Sequence, residues 1–204
     1  MQVDITPQEV AETLSMVSEQ NLDLRTITMG ISLAGCADED MGRMCDKVYD
    51  RITTTAENLV QTANDLQDEY GIPIANKRVS VTPVAQIAAG CKDEDLSPIA
   101  HAMDRAAETL GIDFMGGFSA LIQKGIGATD RKLINSVPEA LATTERVCSS
   151  LNIASTRAGI NMDAVLLSAQ TIQECARRTV DIDCYGAAKF VVFANMVEDS
   201  PFMA

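Results

Sequence analysis

The chain alternates between short segments rich in β-branched residues and longer segments whose apolar residues recur every three or four positions. Alternation with a period of two is typical of strands, and the longer spacing is typical of helices that bury one face. The pattern predicts five strands, at 22–33, 78–83, 112–123, 146–153 and 189–195. The last of these, KFVVFAN, is almost wholly apolar and is therefore predicted to be buried on both faces.

Capping residues, glycine and proline mark the predicted helix ends. Thr6, Pro7 and Glu9 stand in the order of an N-cap, a first-turn proline and a capping-box acid, so a helix should begin there. One long amphipathic helix is predicted over 39–70, and Gly71 ends it. Further helices are predicted over 97–110, over 136–144, and from Asn161 or Asp163 to about residue 177.

Strands that alternate with helices predict parallel pairing through right-handed crossovers. The fold class is therefore α/β, with alternating β/α units, a mostly parallel sheet or barrel, and helices outside. We expect residues 1–204 to form a single α/β domain. The chain stops directly after the fifth predicted strand, and we interpret it as a fragment of a longer protein.

Composition narrows the classes of partner. The chain has 16 basic and 29 acidic residues and a formal charge of -13, which opposes binding to nucleic acid or to an anionic membrane surface. The N-terminal residues do not form a secretory signal, and no apolar run has the length of a membrane span. The six cysteines are dispersed without a C-x-x-C pair, so we expect reduced thiols in a cytoplasmic protein.

Candidate ligand-binding residues are sought where strands end and helices begin, because binding loops converge there in parallel α/β folds. Neither a P-loop nor a G-x-G-x-x-G motif occurs, so no nucleotide fingerprint is present and the cofactor stays unknown. The double glycine at 116–117 has two interpretations: it lets the backbone approach an anionic ligand, or it marks a bulge or close packing. The candidates are small or amide residues, namely Gly116, Gly117, Ser119, Ser149, Asn152, Asn161 and Asn195.

Two residues are candidates for catalysis, and each has a structural alternative. Cys148 lies among hydroxyl and amide residues, but no histidine base is near it in sequence, so a buried inert thiol is the alternative. Glu198, with Asp199, follows the last strand where a cation or a substrate amine would meet carboxylates, although exposed loop acids are common. The single histidine, His101, falls on a polar helix face, which argues against a Ser-His-Asp triad. No metal site is predicted.

Several long motifs carry a resemblance to a known family. They are IANKRVSVTP (74–83), IDFMGGFSALIQKG (112–125), INSVPEAL (134–141), VCSSLNIASTRAGINM (147–162) and KFVVFANMVEDSPFMA (189–204). They resemble uncharacterised protein family two hundred and ten, a conserved prokaryotic domain of unknown function. Its members are longer, and their fold is similar to the ten-stranded α/β barrel of glycyl-radical enzymes such as pyruvate formate-lyase.

The resemblance implies that the five predicted strands are one half of such a barrel, at its N-terminal end. The radical enzymes use a glycine loop that this chain lacks, so Cys148 inherits no radical role from them. We consider two functions. In the first, the protein binds a small polar metabolite at the carboxyl ends of its strands. In the second, it is a non-catalytic regulatory or assembly protein that acts through dimerisation. Whether the protein is an enzyme is left open.

Overall fold

A computed structural model of the chain describes residues 6–19 and 24–196 and confirms the α/β class, with one mostly parallel sheet and flanking helices. The strands are β1 (Leu24–Ile31), β2 (Ile74–Val81), β3 (Phe114–Leu121), β4 (Val147–Ser155), β5 (Gly159–Ile160) and β6 (Phe190–Ala194). The helices are α1 (Pro7–Ser18), α2 (Met41–Thr55), α3 (Leu59–Tyr70), α4 (Val84–Ile87), α5 (Ser97–Leu110), α6 (Ala128–Thr143), α7 (Met162–Arg178) and α8 (Tyr185–Ala188).

The parallel strands lie in the sheet in the order of the chain, β1-β2-β3-β4-β6. Strand β5 has two residues and pairs antiparallel with the end of β4. Because right-handed crossovers between successive neighbours all run in one direction, they place their helices on one face of the sheet. Helices α2, α5, α6 and α7 accordingly pack side by side in that order.

The hydrophobic core fills the space between this helix layer and the sheet. Val79 and Val81 of β2, Met115 and Phe118 of β3, and Leu151 of β4 contribute fully buried side chains from the sheet. The helices supply the opposite side of the core, including Met44, Val48, Ile99, Met103, Leu133 and Val137. Strand side chains alternate between faces, so the residues next to these core positions point away from the helices.

Most predicted helix ends are confirmed. Thr6 and Glu9 form the capping box of α1, and the Asn161 side chain accepts a hydrogen bond from the N–H of Ala164 as the N-cap of α7. Gly71 ends α3 in the left-handed conformation, with φ of 67°. The helix predicted over 39–70 is in fact two helices, α2 and α3, separated at 56–58.

The helix predicted to start near Ser136 begins instead at Ala128, and Pro138 lies inside it. The Ser136 hydroxyl is not an N-cap: it donates to the carbonyl of Lys132 and accepts from the N–H of Leu96. Ser136 and Pro138 resemble a helix start in the sequence. In the structure, the Ser136 hydroxyl instead links the interior of α6 to the residue that precedes α5.

Strand β3 contains a bulge between Met115 and Phe118, at the double glycine. Gly117 has φ of 114°, and a Cβ atom there would lie 2.4 Å from Cγ2 of Val81 and 2.6 Å from the Val81 carbonyl oxygen. The position accepts only glycine, because the neighbouring strand occupies the space of a side chain. Of the two interpretations of the double glycine, the geometry of Gly117 agrees with a bulge and close packing.

The last strand differs from its prediction. Strand β6 was predicted to be buried on both faces, but Val191 is 44% exposed and Val192 and Phe193 are half-buried. Among the described residues β6 pairs only with β4, so it is an edge strand and one of its sides has no strand neighbour. Within the described part of the chain, no helix combines the length and the apolar character needed to cross a membrane.

Candidate functional site

The face of the sheet opposite the helices carries small and polar side chains. Helix-covered parallel sheets are usually apolar on both faces, so this composition is unusual for the fold. We call this surface the polar sheet face, and its members come from three neighbouring strands: Arg78, Ser80, Ser119, Cys148, Ser150 and Asn152.

Ser80 lies in the middle of β2 and is completely buried. Its neighbours in register are Gly30 on β1 and Gly116 on β3, so neither adjacent strand provides a side chain beside it. Among the residues that the structure describes, the Ser80 hydroxyl has no hydrogen-bond partner. Leaving a buried hydroxyl unpaired costs about 1–3 kcal/mol, so a group that accepts or donates to Ser80 would be stabilised.

Arg78 precedes Ser80 on the same side of β2. Its guanidinium group lies over the ring of Phe114, with 5.0 Å between Cζ and the ring centroid, and Nη2 donates to the Asn76 side-chain oxygen at 3.2 Å. The Nε atom is buried and has no hydrogen-bond partner in the described part of the chain. Among the described residues, no carboxylate lies within salt-bridge distance of Arg78.

Cys148 is half-buried on β4, and its thiol interacts electrostatically with the positive charges of Arg78 and Lys189. Burial raises the pKa of the Cys148 thiol, and the positive charges of Lys189 and Arg78 offset that rise only in part. The thiol is therefore protonated at neutral pH and is not activated as a nucleophile. His101 cannot serve as its base in this arrangement, because its Nε2 atom contacts the Thr143 hydroxyl in the helix layer, at 3.3 Å.

Lys189 is a buried cation directly before β6. Its Nζ atom donates to the Thr144 carbonyl at 2.6 Å and lies over the ring of Tyr185, 5.8 Å from the centroid. Burial lowers the pKa of Lys189, because the charged form loses its hydration. Its charge therefore acts on the thiol of Cys148 from a site that solvent does not screen.

Three of the predicted ligand-binding residues have structural roles. The Ser149 side chain points to the core side and donates to the carbonyl of Phe118 at 2.6 Å. Asn161, besides capping α7, donates through Nδ2 to the carbonyl of Ile122 at 2.8 Å. Asn195 has φ of 62°, and its side-chain oxygen accepts from the N–H and the hydroxyl of Thr156.

Two other candidates lie on the polar sheet face but have protein partners. The Ser119 hydroxyl donates to the carbonyl of Gly117 at 3.3 Å. The Asn152 amide, in the orientation that satisfies it, donates to the carbonyls of Ala154 and Phe193.

The structure therefore brings Gly116 and Cys148 near Ser80 and Arg78, while most of the other candidates are used within the fold. Glu198 and Asp199 lie outside the described residues. Over the described ranges, no group of three or more histidine, cysteine, aspartate or glutamate side chains is arranged to hold a metal ion.

Sequence reasoning did not select Arg78 and Ser80 as members of one site. Both fall in the short motif RVSV, where alternation of the two valines with arginine and serine was the available signal. Alternation alone places Arg78 and Ser80 on one face, but it cannot show that glycines stand on both sides of Ser80.

Comparison with known proteins gives consistent matches along nearly the whole chain. A UPF0210 protein of Desulforamulus reducens is 58% identical over 196 residues, which are 96% of this chain and 43% of that protein. A UPF0210 protein of Methanococcoides burtonii is 52% identical over 200 residues, which are 98% of this chain and 44% of that protein. The chain thus spans less than half the length of these relatives.

The family model described as Uncharacterised ACR (DUF711) matches residues 15–204. This match covers all five motifs quoted above, including the strands that carry Arg78, Ser80 and Cys148. The chain belongs to this uncharacterised family.

Proposed function

We propose that this cytoplasmic protein binds a small polar molecule on its polar sheet face, with the site centred on Ser80 and Gly116. The observation that carries the proposal is the pair of buried, unpartnered polar atoms, the Ser80 hydroxyl and Arg78 Nε, on one side of one strand. Native proteins rarely leave such atoms unpaired, so two of them on one side of one strand call for a specific explanation, and a bound molecule supplies it. The site lies on the face of the sheet, below the carboxyl ends of the strands.

The length of the relatives supports a second part of the proposal. They are more than twice as long as this chain, which covers 43–44% of them. We propose that 204 residues form the N-terminal half of a larger α/β barrel, in which the polar sheet face becomes the interior. Sequential parallel strands with helices on one face suit such a barrel, because its interior is then the side opposite the helices.

Replacing Ser80 with alanine tests the proposal through stability as well as binding. The change removes an unpaired buried hydroxyl, so we expect the free energy of unfolding to rise by about 1 kcal/mol. Any small molecule that raises the melting temperature of the wild-type protein should raise that of Ser80→Ala less. Thermal denaturation with and without a panel of polar metabolites measures both effects.

Ser136→Ala is the matched control. Ser136 is also a buried serine, but its hydroxyl both donates and accepts hydrogen bonds, so its loss should destabilise the protein by about 1 kcal/mol. Equal destabilisation by both changes would show that the Ser80 hydroxyl has a structural partner, and the proposed site would lose its main support.

A second candidate function is assembly through the edge of the sheet. Strand β6 exposes Val191, and the segment before it exposes Val180 (66%), Ile182 (49%) and Tyr185 (45%). An apolar edge with unpaired backbone groups favours pairing with a second copy, so we propose a homodimer as the alternative. We expect Val191→Lys to shift the sedimentation profile of a dimer towards monomer. An unchanged dimer would exclude this edge as the interface.

A further inference from the structure

We infer that the ligand of the polar sheet face carries an oxyanion, either a carboxylate or a phosphoryl group, and that Arg78 and Ser80 bind it together. This inference rests on the proposed function and specifies the class of ligand. Arg78 and Ser80 are separated by one residue on β2, so their side chains leave the strand on the same side, roughly 6.6 Å apart along it.

The two unpartnered atoms call for an acceptor. A guanidinium Nε can only donate, so its missing partner must be an oxygen or another acceptor. The Ser80 hydroxyl can donate to a second oxygen of the same group. Arginine binds carboxylates and phosphates through two parallel N–H bonds, and these bonds are stronger than those between neutral groups.

The guanidinium group is also held in place before any ligand arrives. The Phe114 ring lies under it, and the Asn76 side chain accepts from Nη2, so its plane and direction are fixed. A donor held in this way loses little conformational entropy on binding. Gly30 and Gly116 stand beside Ser80 in register, so neither adjacent strand contributes a side chain next to the hydroxyl.

Local charge favours an anion although the whole chain is acidic. The formal charge of the chain is -13, yet the cations Lys189 and Arg78 both act on Cys148, while the carboxylates of Asp104 and Glu145 act on Lys189. No described carboxylate pairs with Arg78. A partly buried cation without a counter-ion is costly, and an anionic ligand removes that cost.

The test measures binding of two anionic probes, inorganic phosphate and succinate, and one neutral probe, ribose, by equilibrium dialysis at low ionic strength. The full-length protein is compared with Ser80→Ala, Arg78→Gln, Arg78→Lys and Arg105→Gln. Arg105 is the matched control, because its guanidinium also lies over a ring, 5.9 Å from the centroid of Tyr49, but on the helix layer. Melting curves of all variants confirm that they fold.

We expect the wild-type protein to bind at least one anionic probe, and we expect Arg78→Gln to weaken that binding by about tenfold or more. Arg78→Lys keeps the positive charge but lacks the forked pair of N–H donors, so we expect an intermediate loss of affinity for the anionic probe. Arg105→Gln should bind as the wild type does. If Arg78→Gln fails to fold, the difference between Arg78→Lys and wild type decides the question.

Three outcomes would overturn the inference. Unchanged anion binding in Arg78→Gln would show that the probe binds elsewhere. Binding of ribose alone, weakened by Ser80→Ala but not by Arg78→Gln, would keep the proposed polar site and reject its anionic ligand. Binding of none of the three probes would reject the inference, whereas the proposed function would be rejected only if the metabolite panel also failed to raise the melting temperature.

Discussion

Replacing Gly117 with alanine is expected to lower the free energy of unfolding by about 3 kcal/mol or more, the largest stability effect of a single methyl group that we foresee in this chain. Two costs add at this position. The backbone has φ of 114°, which side chains rarely tolerate, and the new Cβ would lie within 2.6 Å of both the backbone and the side chain of Val81. Urea denaturation of the wild type and the variant measures the loss.

Gly125→Ala separates the two costs. Gly125 also has a positive φ, of 141°, but no atom of the other described residues lies within 4 Å of the Cβ position, so only conformational strain is added. Gly90→Ala, with neither feature, provides the baseline. If Gly117→Ala and Gly125→Ala lose the same free energy, the contact with Val81 does not restrict the bulge and our account of β3 is wrong.

The stability contributed by Cys175 is expected to disappear in alkaline solution. Cys175 is fully buried in α7, and burial raises the pKa of its thiol to about 11. The unfolded chain ionises this thiol at lower pH than the folded chain does, so a rising pH favours unfolding. The contribution is fully present below the pKa of the unfolded thiol and is lost as pH rises towards the folded value. We expect a loss on the order of 1 kcal/mol by about pH 10 and on the order of 2 kcal/mol by about pH 11.

The measurement compares wild type with Cys175→Ala in urea denaturation from neutral to alkaline pH. The variant loses packing at every pH, but it lacks the thiol, so its deficit relative to wild type should shrink as pH rises. Thr171→Ala provides the control, since Thr171 is buried one turn earlier on the same helix and does not titrate. A deficit of Cys175→Ala that is constant with pH would contradict the raised pKa.

The alternation of strands and helices could be predicted because each element has its own period and its own end signals. Gly71, Gly111 and Asn161 are local signals, and they act through the conformation or the hydrogen bonds of a single turn. The predicted order of elements, and with it the α/β class, followed from these local features. Parallel pairing followed from the spacing between strands, which requires a crossover.

The break between α2 and α3 could not be predicted from such signals. Ala56 and Leu59 are both buried, so the apolar face continues across the break. The three-to-four spacing of apolar residues therefore does not indicate that one helix ends there. Neither glycine nor proline stands there. The Thr53 hydroxyl instead bonds to the carbonyls of Tyr49 and Asp50, a competition with the helix backbone that favours its ending.

The candidate site was predicted only in part because it depends on register between strands. Gly116 and Cys148 were selected from their sequence contexts, and they lie next to the site. Ser80 is important because Gly30 and Gly116 lie beside it on the neighbouring strands. Strand pairing brings these glycines to Ser80 from 50 positions earlier and 36 positions later in the chain. Sequence periodicity gives the face of a side chain but not its neighbours across strands.

The order of the parallel strands also bears on how the chain reaches its fold during synthesis. Each parallel strand pairs with the parallel strand made before it, from β1 to β6. A nascent chain can therefore add one strand and its helix at a time to a sheet already formed, and no unit has to wait for a strand that leaves the ribosome later. Among the described strands, assembly in the direction of translation then leaves unpaired backbone at two places, the outer side of β1 and the outer side of the newest strand.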